Sequence, residues 1–598
     1  MSSTSADFKT VNITDSRLHF DDQINYAVRG GAAAITSVTY PAQAKSLTSH
    51  SFNINIPSLN TVVSKRVLWK STVVYKVSGK VALKDQWLFQ YGRNLAPSCF
   101  PLHQSCITQT CQINSNTISI NTRDVLLPLL RLNNKDIVND LNSMSPNQFD
   151  NLAEYKDAYT DAKTPEYNAV LGDCRNSGEY WKPRGSFKLL AIGDDFSTGD
   201  VTGNYTPAAA DAEDKTVYLK FQFTEPLMML SPFTAFDSEG SGLYGIQNLT
   251  FNFTLESENC RAIRMADLGF TTGIPTVSVA GYLDSELQFE FLSPHDTTVL
   301  PSRCVSNYYE APRYILASNT PIASDATVPV TFNTFSLNQI PDMIIIYARK
   351  KVADQKIFDT DVNLAIKGIN INFNNNSGLL SSYTPEQLYN ITRKNNLNVD
   401  WEQFDGITHK YNPASDPAQL DDIGTIGSPI VLRFGNDIPL SSTALASGSL
   451  GQYSIQFNIT LYNQTLNAIT PEVVMIAVNS GLFVSYSGSS SIYSGILSKS
   501  DVLNCKMNEE PVSETDIRRL VGHGSFMDKL KKMPSSVVNF LKQHHKTLGS
   551  LAKQGLSQID NPYANMGTKG LSMLGYGDGA GDSGGSRSGG ALRRHTRK

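Results

Sequence analysis

The 598-residue sequence is poor in charge, carries no paired cysteine motif and contains no long apolar run. Only 18% of its residues are Asp, Glu, Lys or Arg, against 40% apolar. Such low charge suits a surface buried against neighbouring subunits, and also suits β-rich chains whose polar positions are Ser, Thr and Asn. No apolar stretch is long enough to cross a bilayer as a helix. Met1 to Asp7 is polar and lacks the basic-then-apolar layout of a secretory signal, which predicts a protein made and kept in the cytoplasm or nucleus. The seven cysteines, spread from Cys99 to Cys505, include no CxxC pair, so reduced and partly buried thiols are expected rather than a disulfide framework. Without a secretory route, the Asn-x-Ser/Thr triplets at Asn252 and Asn458 are strand residues and not glycan sites.

Catalytic signatures are missing too. There is no Gly-rich phosphate loop, no GxSxG elbow and no HExxH helix. Cys99, His103, Cys106 and Cys111 fall within one stretch, but their irregular spacing is not that of a tetrahedral metal site, and buried thiols are the simpler reading. A Cys-His nucleophile would need a third, orienting group. The run Asp194-Asp195-Phe196-Ser197-Thr198-Gly199-Asp200 is rich in oxygen ligands but lacks the spacing and closing Glu of a calcium loop, so it reads as a solvated turn. The expectation is a protein that is not an enzyme, with no catalytic residues, cofactor or metal.

What is present is a repeat. Phe251-Asn252-Phe253-Thr254-Leu255 returns as Phe457-Asn458-Ile459-Thr460-Leu461. Both copies alternate apolar and polar residues, the period of a half-buried strand. Each follows an aromatic-rich strand that leads to Pro-Leu: Val217 to Phe223 before Pro226-Leu227, and Ile430 to Phe434 before Pro439-Leu440. Two tandem copies of one β-rich domain follow from this order. The length also exceeds what one core supports.

Further strands are expected at Ser51 to Ile56, Arg66 to Val77 and Ile113 to Ile120, then a helix from Val125 to Leu132 with Pro128 in its first turn. Residues 140–215 read as an elaborated insertion with short helices such as Gln148 to Ala158. The second module is expected to open near Pro275 with strands at Val277 to Leu283 and Glu286 to Leu292. It continues through Val328 to Phe335, Met343 to Ala348, Ile366 to Phe373, Tyr453 to Tyr462 and Val473 to Val478, with a helix at Pro385 to Lys394 capped by Thr384. The fold class is therefore all-β, two tandem jelly-roll sandwiches with a short helical, basic tail. The expected divisions are an arm at 1–45, the first jelly-roll at 46–268, the second at 269–511 and a tail at 512–598.

The net charge of −4 conceals an asymmetry: residues 516–598 hold 14 basic and 5 acidic residues, so the remainder is acidic. Phe526, Leu530 and Met533 lie at helical spacing among Lys529, Lys531 and Lys532, and beyond Pro534 a second apolar face is flanked by Lys542, Lys546 and Lys553. The Gly/Ser-rich end closes with Arg593, Arg594, His595, Thr596, Arg597 and Lys598. These cations are candidates for contact with nucleic acid or a membrane surface.

The order of elements resembles the double jelly-roll major capsid proteins of double-stranded DNA viruses, nearest to virophage and Polinton-like (Maverick) forms and more distantly to adenovirus hexon. The resemblance is carried by Phe100-Pro101-Leu102-His103 leading into Ile113 to Asn121 and the helix Asp124 to Leu132, by Ile340-Pro341-Asp342-Met343-Ile344-Ile345, and by Leu432-Arg433-Phe434-Gly435-Asn436-Asp437-Ile438. It implies homotrimeric, pseudo-hexagonal capsomers in an icosahedral virion, with the basic tail inside and penton or minor capsid proteins, the genome or a membrane as partners. It also implies a maturation cysteine protease cutting at Leu520-Val521-Gly522-His523|Gly524 and Met573-Leu574-Gly575-Tyr576|Gly577. Two other readings remain at this point. One is a shell-plus-projection capsid protein of a small RNA or single-stranded DNA virus. The other is a carbohydrate-binding β-sandwich protein in which Trp69, Trp87, Trp181 and Trp401 stack on sugars.

Overall fold

The computed structural model describes residues 31–80, 95–132, 145–155 except 147–148, 188–193, 214–228, 232–233, 242–258, 261–265, and 274–495 except 297, 413–418 and 441–446. The first sandwich is built from β1 (Ala34–Pro41), β2 (Ser49–Asn55), β3 (Leu68–Lys80), β4 (Cys106–Ile113), β5 (Asn116–Ile120), helix α1 (Thr122–Arg131), β6 (Lys188–Gly193), β7 (Asp214–Pro226), β8 (Asn248–Leu255) and β9 (Thr276–Ser293). One sheet runs β1-β9-β3-β7-β6 and the other β2-β8-β4-β5. The second sandwich comprises β10 (Cys304–Glu310), β11 (Arg313–Ala317), β12 (Thr327–Thr331), β13 (Phe335–Gln339), β14 (Met343–Lys350), β15 (Ala365–Phe373), β16 (Asn376–Leu379), helix α2 (Pro385–Lys394), β17 (Ile430–Arg433), β18 (Leu450–Tyr462), β19 (Pro471–Tyr486) and β20 (Ser489–Ser494). Its sheets run β10-β19-β14-β17, with β11 and β20 also on β19, and β12-β18-β15-β16, with β13 on β18.

The two halves share one strand order: β1-β9-β3-β7 corresponds to β10-β19-β14-β17, and β2-β8-β4-β5 to β12-β18-β15-β16. The repeated motif occupies β8 and β18, the strands flanked on both sides in the smaller sheets. Period-two alternation puts Phe251, Phe253 and Leu255 in one core and Phe457, Ile459 and Leu461 in the other, while Asn252 stays on the outer face. In both halves the second strand after the central pair is a short hairpin partner (β5, β16) and is followed by a ten-residue helix. Aromatic rings fill the first core: Phe251 lies 5.5 Å from Phe233 and 5.9 Å from Phe289, and Trp69 lies 4.8 Å from Phe253. Each such buried ring contributes about 1.5–3 kcal/mol of transfer free energy.

Five expectations need correction. The stretches Val277 to Leu283 and Glu286 to Leu292 do not open the second module: they form one 18-residue strand, β9, paired with β1 and β3 of the first sandwich. Shifts of register at Val279/Gly281 and Tyr282/Asp284 bend it as bulges do. This break in alternation is what made it look like two strands. Part of the expected arm is likewise a strand, since β1 pairs with β9 along its whole length. Ile113 to Ile120 is not one strand, because Asn114 takes φ of 53° and turns the chain into the β4–β5 hairpin. Phe149–Tyr155 is not helical, because bridges Leu152↔Thr425 and Glu154↔Asp359 hold it extended against the second sandwich. Lastly, α1 begins at Thr122, so Pro128 lies inside the helix and not in its first turn.

Candidate functional site

Pro128 explains how the two sandwiches are joined. A proline within a helix cannot donate to the carbonyl four residues back, here that of Asp124. That carbonyl instead accepts a 2.7 Å hydrogen bond from the Tyr347 hydroxyl on β14 of the second sandwich. The fully buried Asp124 carboxylate faces the same way, meeting Arg349 at 2.5 Å and Arg313 as well. Arg349 also pairs with Glu472 at 2.7 Å. Burial, opposed chiefly by Arg349, holds the Tyr347 hydroxyl above its ordinary pKa, so it remains a donor.

The reverse contact lies alongside. Asp361 of the second sandwich is gripped by Arg261 and, at 3.2 Å, Arg264 of the first, and it accepts from Gln104 at 3.2 Å. Burial, together with the neighbouring Arg264 and Arg349 cations, lowers the Arg261 guanidinium to about 9. Next to it the segment 149–155 crosses the seam as a strap. Ala153 N–H donates to Gly424 O, Ile426 N–H to Asn151 O, Thr360 Oγ1 to Ala153 O and Asp361 N–H to Asp150 Oδ2, at 2.6–3.1 Å.

At the other end of the seam Asn114 uses all four of its side-chain hydrogen-bonding positions. Nδ2 donates to Gly245 O and Ser489 O, and Oδ1 accepts from Gln247 and Asn248 N–H. Ser490 Oγ on β20 donates to Ile113 O at 2.7 Å. Gly245, with φ of 74°, packs so close to the Tyr486 and Ser487 backbone that an added Cβ would lie 3.2 Å away. The seam thus holds its two halves by charged contacts at one end and neutral, directional hydrogen bonds at the other. This geometry fixes orientation more than it adds stability, because buried ion pairs contribute little net stability compared with apolar packing.

The residues singled out by sequence fare differently. Cys99, Cys106 and Cys111 are buried free thiols, and burial pushes Cys106 up to about 12 and Cys111 well above its usual value. His103 does not turn toward them. Its Nδ1 donates to Glu225 at 2.6 Å, and its Nε2 accepts from the Met228 amide. Among the described residues no group of His, Cys, Asp and Glu is arranged to hold a metal ion. Trp69 is fully buried with its indole N–H on Ser285 Oγ, which removes it from any sugar-stacking surface, and the half-buried Trp401 packs on Tyr389 and Phe404. Trp87, Trp181, the Asp194–Asp200 run and every tail residue, including Gly522, His523, Gly524, Gly575, Tyr576, Gly577 and the cations from Lys529 to Lys598, lie outside the described residues. Sequence reasoning missed Asp124, Arg349 and Asp361. The one available signal was a proline four residues after an acid in a helical stretch.

Comparison with known proteins agrees with this two-body architecture. Residues 6–292 match the first domain of the Sputnik virophage major capsid protein, and residues 311–481 match the C-terminal domain of major capsid protein V20. The V20 chain of Sputnik virophage, described as a capsid protein, is 25% identical over 614 aligned residues, covering 99% of this chain and 97% of that one. The 3.5 Å cryo-EM structure of Sputnik virophage superimposes with a TM-score of 0.73 at 23% identity, over 87% of this chain and 100% of that one. The mavirus major capsid protein does so with 0.64 at 14% identity, over 85% and 100%. These two likenesses establish the double jelly-roll fold. The first family match ends at the close of β9 and the second begins within the second sandwich, as the strand pairing requires. With both capsid domains present in order along the chain, the protein belongs to the virophage major capsid proteins and is a structural component of a virion.

Proposed function

We propose that the chain works as a homotrimeric, pseudo-hexagonal capsomer that tiles an icosahedral shell. The observation that carries this reading is the shared strand order of two sandwiches held at a fixed angle by a buried polar seam. Three such chains present six near-equivalent wedges around one axis, which lets a threefold block occupy a sixfold lattice position. A shell-plus-projection arrangement would not call for two halves of one topology. Trimers are held by apolar burial and the lattice by weaker polar contacts, for which a low-charge surface rich in Asn, Ser, Thr and Tyr is suited. The tail faces the interior, where Lys529, Lys531, Lys532, Lys542, Lys546, Arg593, Arg594, Arg597 and Lys598 meet genome, membrane or a minor capsid protein. It is released by a cysteine protease after His523 and Tyr576. Light scattering on the purified full chain tests the first step: the expected mass is three times 65.6 kDa. A monomer that neither trimerises nor forms particles across salt and pH would overturn the proposal.

A further inference from the structure

A cavity of about 30 Å³ lies at the centre of the seam, beneath α1. That is room for about two water molecules, or for one small ion. Its lining is lopsided in charge: Arg123, Arg131, Arg261, Arg349 and Lys350 face two carboxylates, Asp150 and Asp361. Three of these cations have close carboxylate partners. Arg349 lies against Asp124 and Glu472, Arg261 against Asp361, and Lys350 against Asp359 at 2.8 Å.

The other two cations are not matched in this way. Arg123 and Arg131 stand on one face of α1 with Leu127 between them, the spacing at which helical side chains align. Arg131 donates to the Asp150 carbonyl at 3.3 Å and makes no ion pair among the described residues. Arg123 approaches its nearest carboxylates, Asp124 and Glu256, at only 3.9 and 3.8 Å. Burial raises the pKa of the Glu256 carboxyl, which weakens it further as a counter-charge. Independently of this imbalance, the Nε–H groups of Arg123 and Arg261 are shut off from solvent and donate to no acceptor. A guanidinium N–H shut off from solvent without an acceptor is unfavourable, and an unbalanced charge in a poorly solvated site more so.

We propose that this cavity binds one small inorganic anion of chloride size, held between the α1 arginines and Arg261, which completes the charge balance of the seam and locks the two sandwiches together. The anion would accept from guanidinium N–H groups contributed by α1 and by Arg261 while lying against Arg349 and Lys350 of β14. Binding would therefore stabilise only the docked arrangement. The site goes beyond the capsomer reading and does not depend on it.

The test uses the full chain. Crystals grown or soaked in sodium bromide should show an anomalous peak within about 4 Å of Arg123, Arg131 and Arg261. In solution, exchanging gluconate for chloride at constant ionic strength should raise the thermal midpoint along a saturating curve, and Arg131→Gln should abolish that saturable rise. A cavity filled only by water, with bromide confined to surface lysines, would overturn the inference even if the variant failed to fold. So would a midpoint that responds equally to chloride in the wild type and in Arg131→Gln.

Discussion

Asp124 is the residue on which the junction turns, because its carbonyl and its carboxylate are both committed to the second sandwich. Asp124→Asn would leave Arg313 and Arg349 facing an uncharged group in a buried site. A loss of about 3–5 kcal/mol is expected, measured by denaturant unfolding. Tyr347→Phe removes only the donor to the carbonyl that Pro128 frees, so it should cost about 1–3 kcal/mol. If the two variants behaved alike, the charge would not be what matters. His50 offers a pH-dependent counterpart. It sits edge-on to Tyr282 at 4.4 Å, with Ser285 Oγ 3.0 Å from Nδ1 and no partner for Nε2. Burial, assisted by Lys45, lowers its pKa to about 4. The unfolded chain then binds the proton more readily than the folded one. This stabilisation is complete above pH 6.5 and disappears as the pH falls toward 4, a change of roughly 3 kcal/mol. The slope of stability against pH across this window should flatten in His50→Gln. An unchanged slope would show that other groups dominate acid sensitivity.

Among the elements, the repeated strands β8 and β18 allow the duplication to be tested energetically. Phe251→Ala and Phe457→Ala each remove a fully buried ring from the equivalent strand of a sandwich, and both should cost about 3–5 kcal/mol. A negligible cost at either site would mean that the equivalence of topology does not extend to packing. Helix α2 behaves more locally. Thr384 accepts from the Gln387 amide, and the Gln387 side chain accepts from the Thr384 amide, a reciprocal cap on an exposed helix end. Thr384→Ala should cost only about 1 kcal/mol. These elements were largely legible in the sequence, since their periodicity and capping residues act over a few positions. The failures had a shared cause. Bulges interrupt the alternation of β9, the β4–β5 turn lies in a run of apolar and polar alternation, and the 149–155 strap is extended where the sequence predicts a helix at Gln148 to Ala158. In each case a partner remote in sequence set the backbone.

On the scale of the whole molecule, the proposed assembly makes the seam and the tail separately testable. Removing residues 524–598 should leave the described body soluble and trimeric while impairing particle formation, scored by electron microscopy of assembly reactions. Normal particles from that truncation would eliminate an assembly role for the tail. Opening the seam should act oppositely. Asp361→Asn, which leaves Arg261 and Arg264 without their shared carboxylate, should yield trimers of irregular outline that fail to tile, because the angle between the sandwiches would no longer be fixed.

The sequence by itself determined the all-β class, the duplication and the capsid resemblance. Alternating burial and a repeated motif are properties of neighbouring residues, and a chain too long for one core must divide. Only the tertiary structure decided that β9 completes the first sandwich, that Pro128 hands a carbonyl to Tyr347, and that Asp124 and Asp361 cross the seam in opposite directions. Pairing between strands and between charges hundreds of residues apart is chosen by which arrangement leaves the fewest buried polar groups unmet. That sum runs over the folded whole and leaves no mark on local composition.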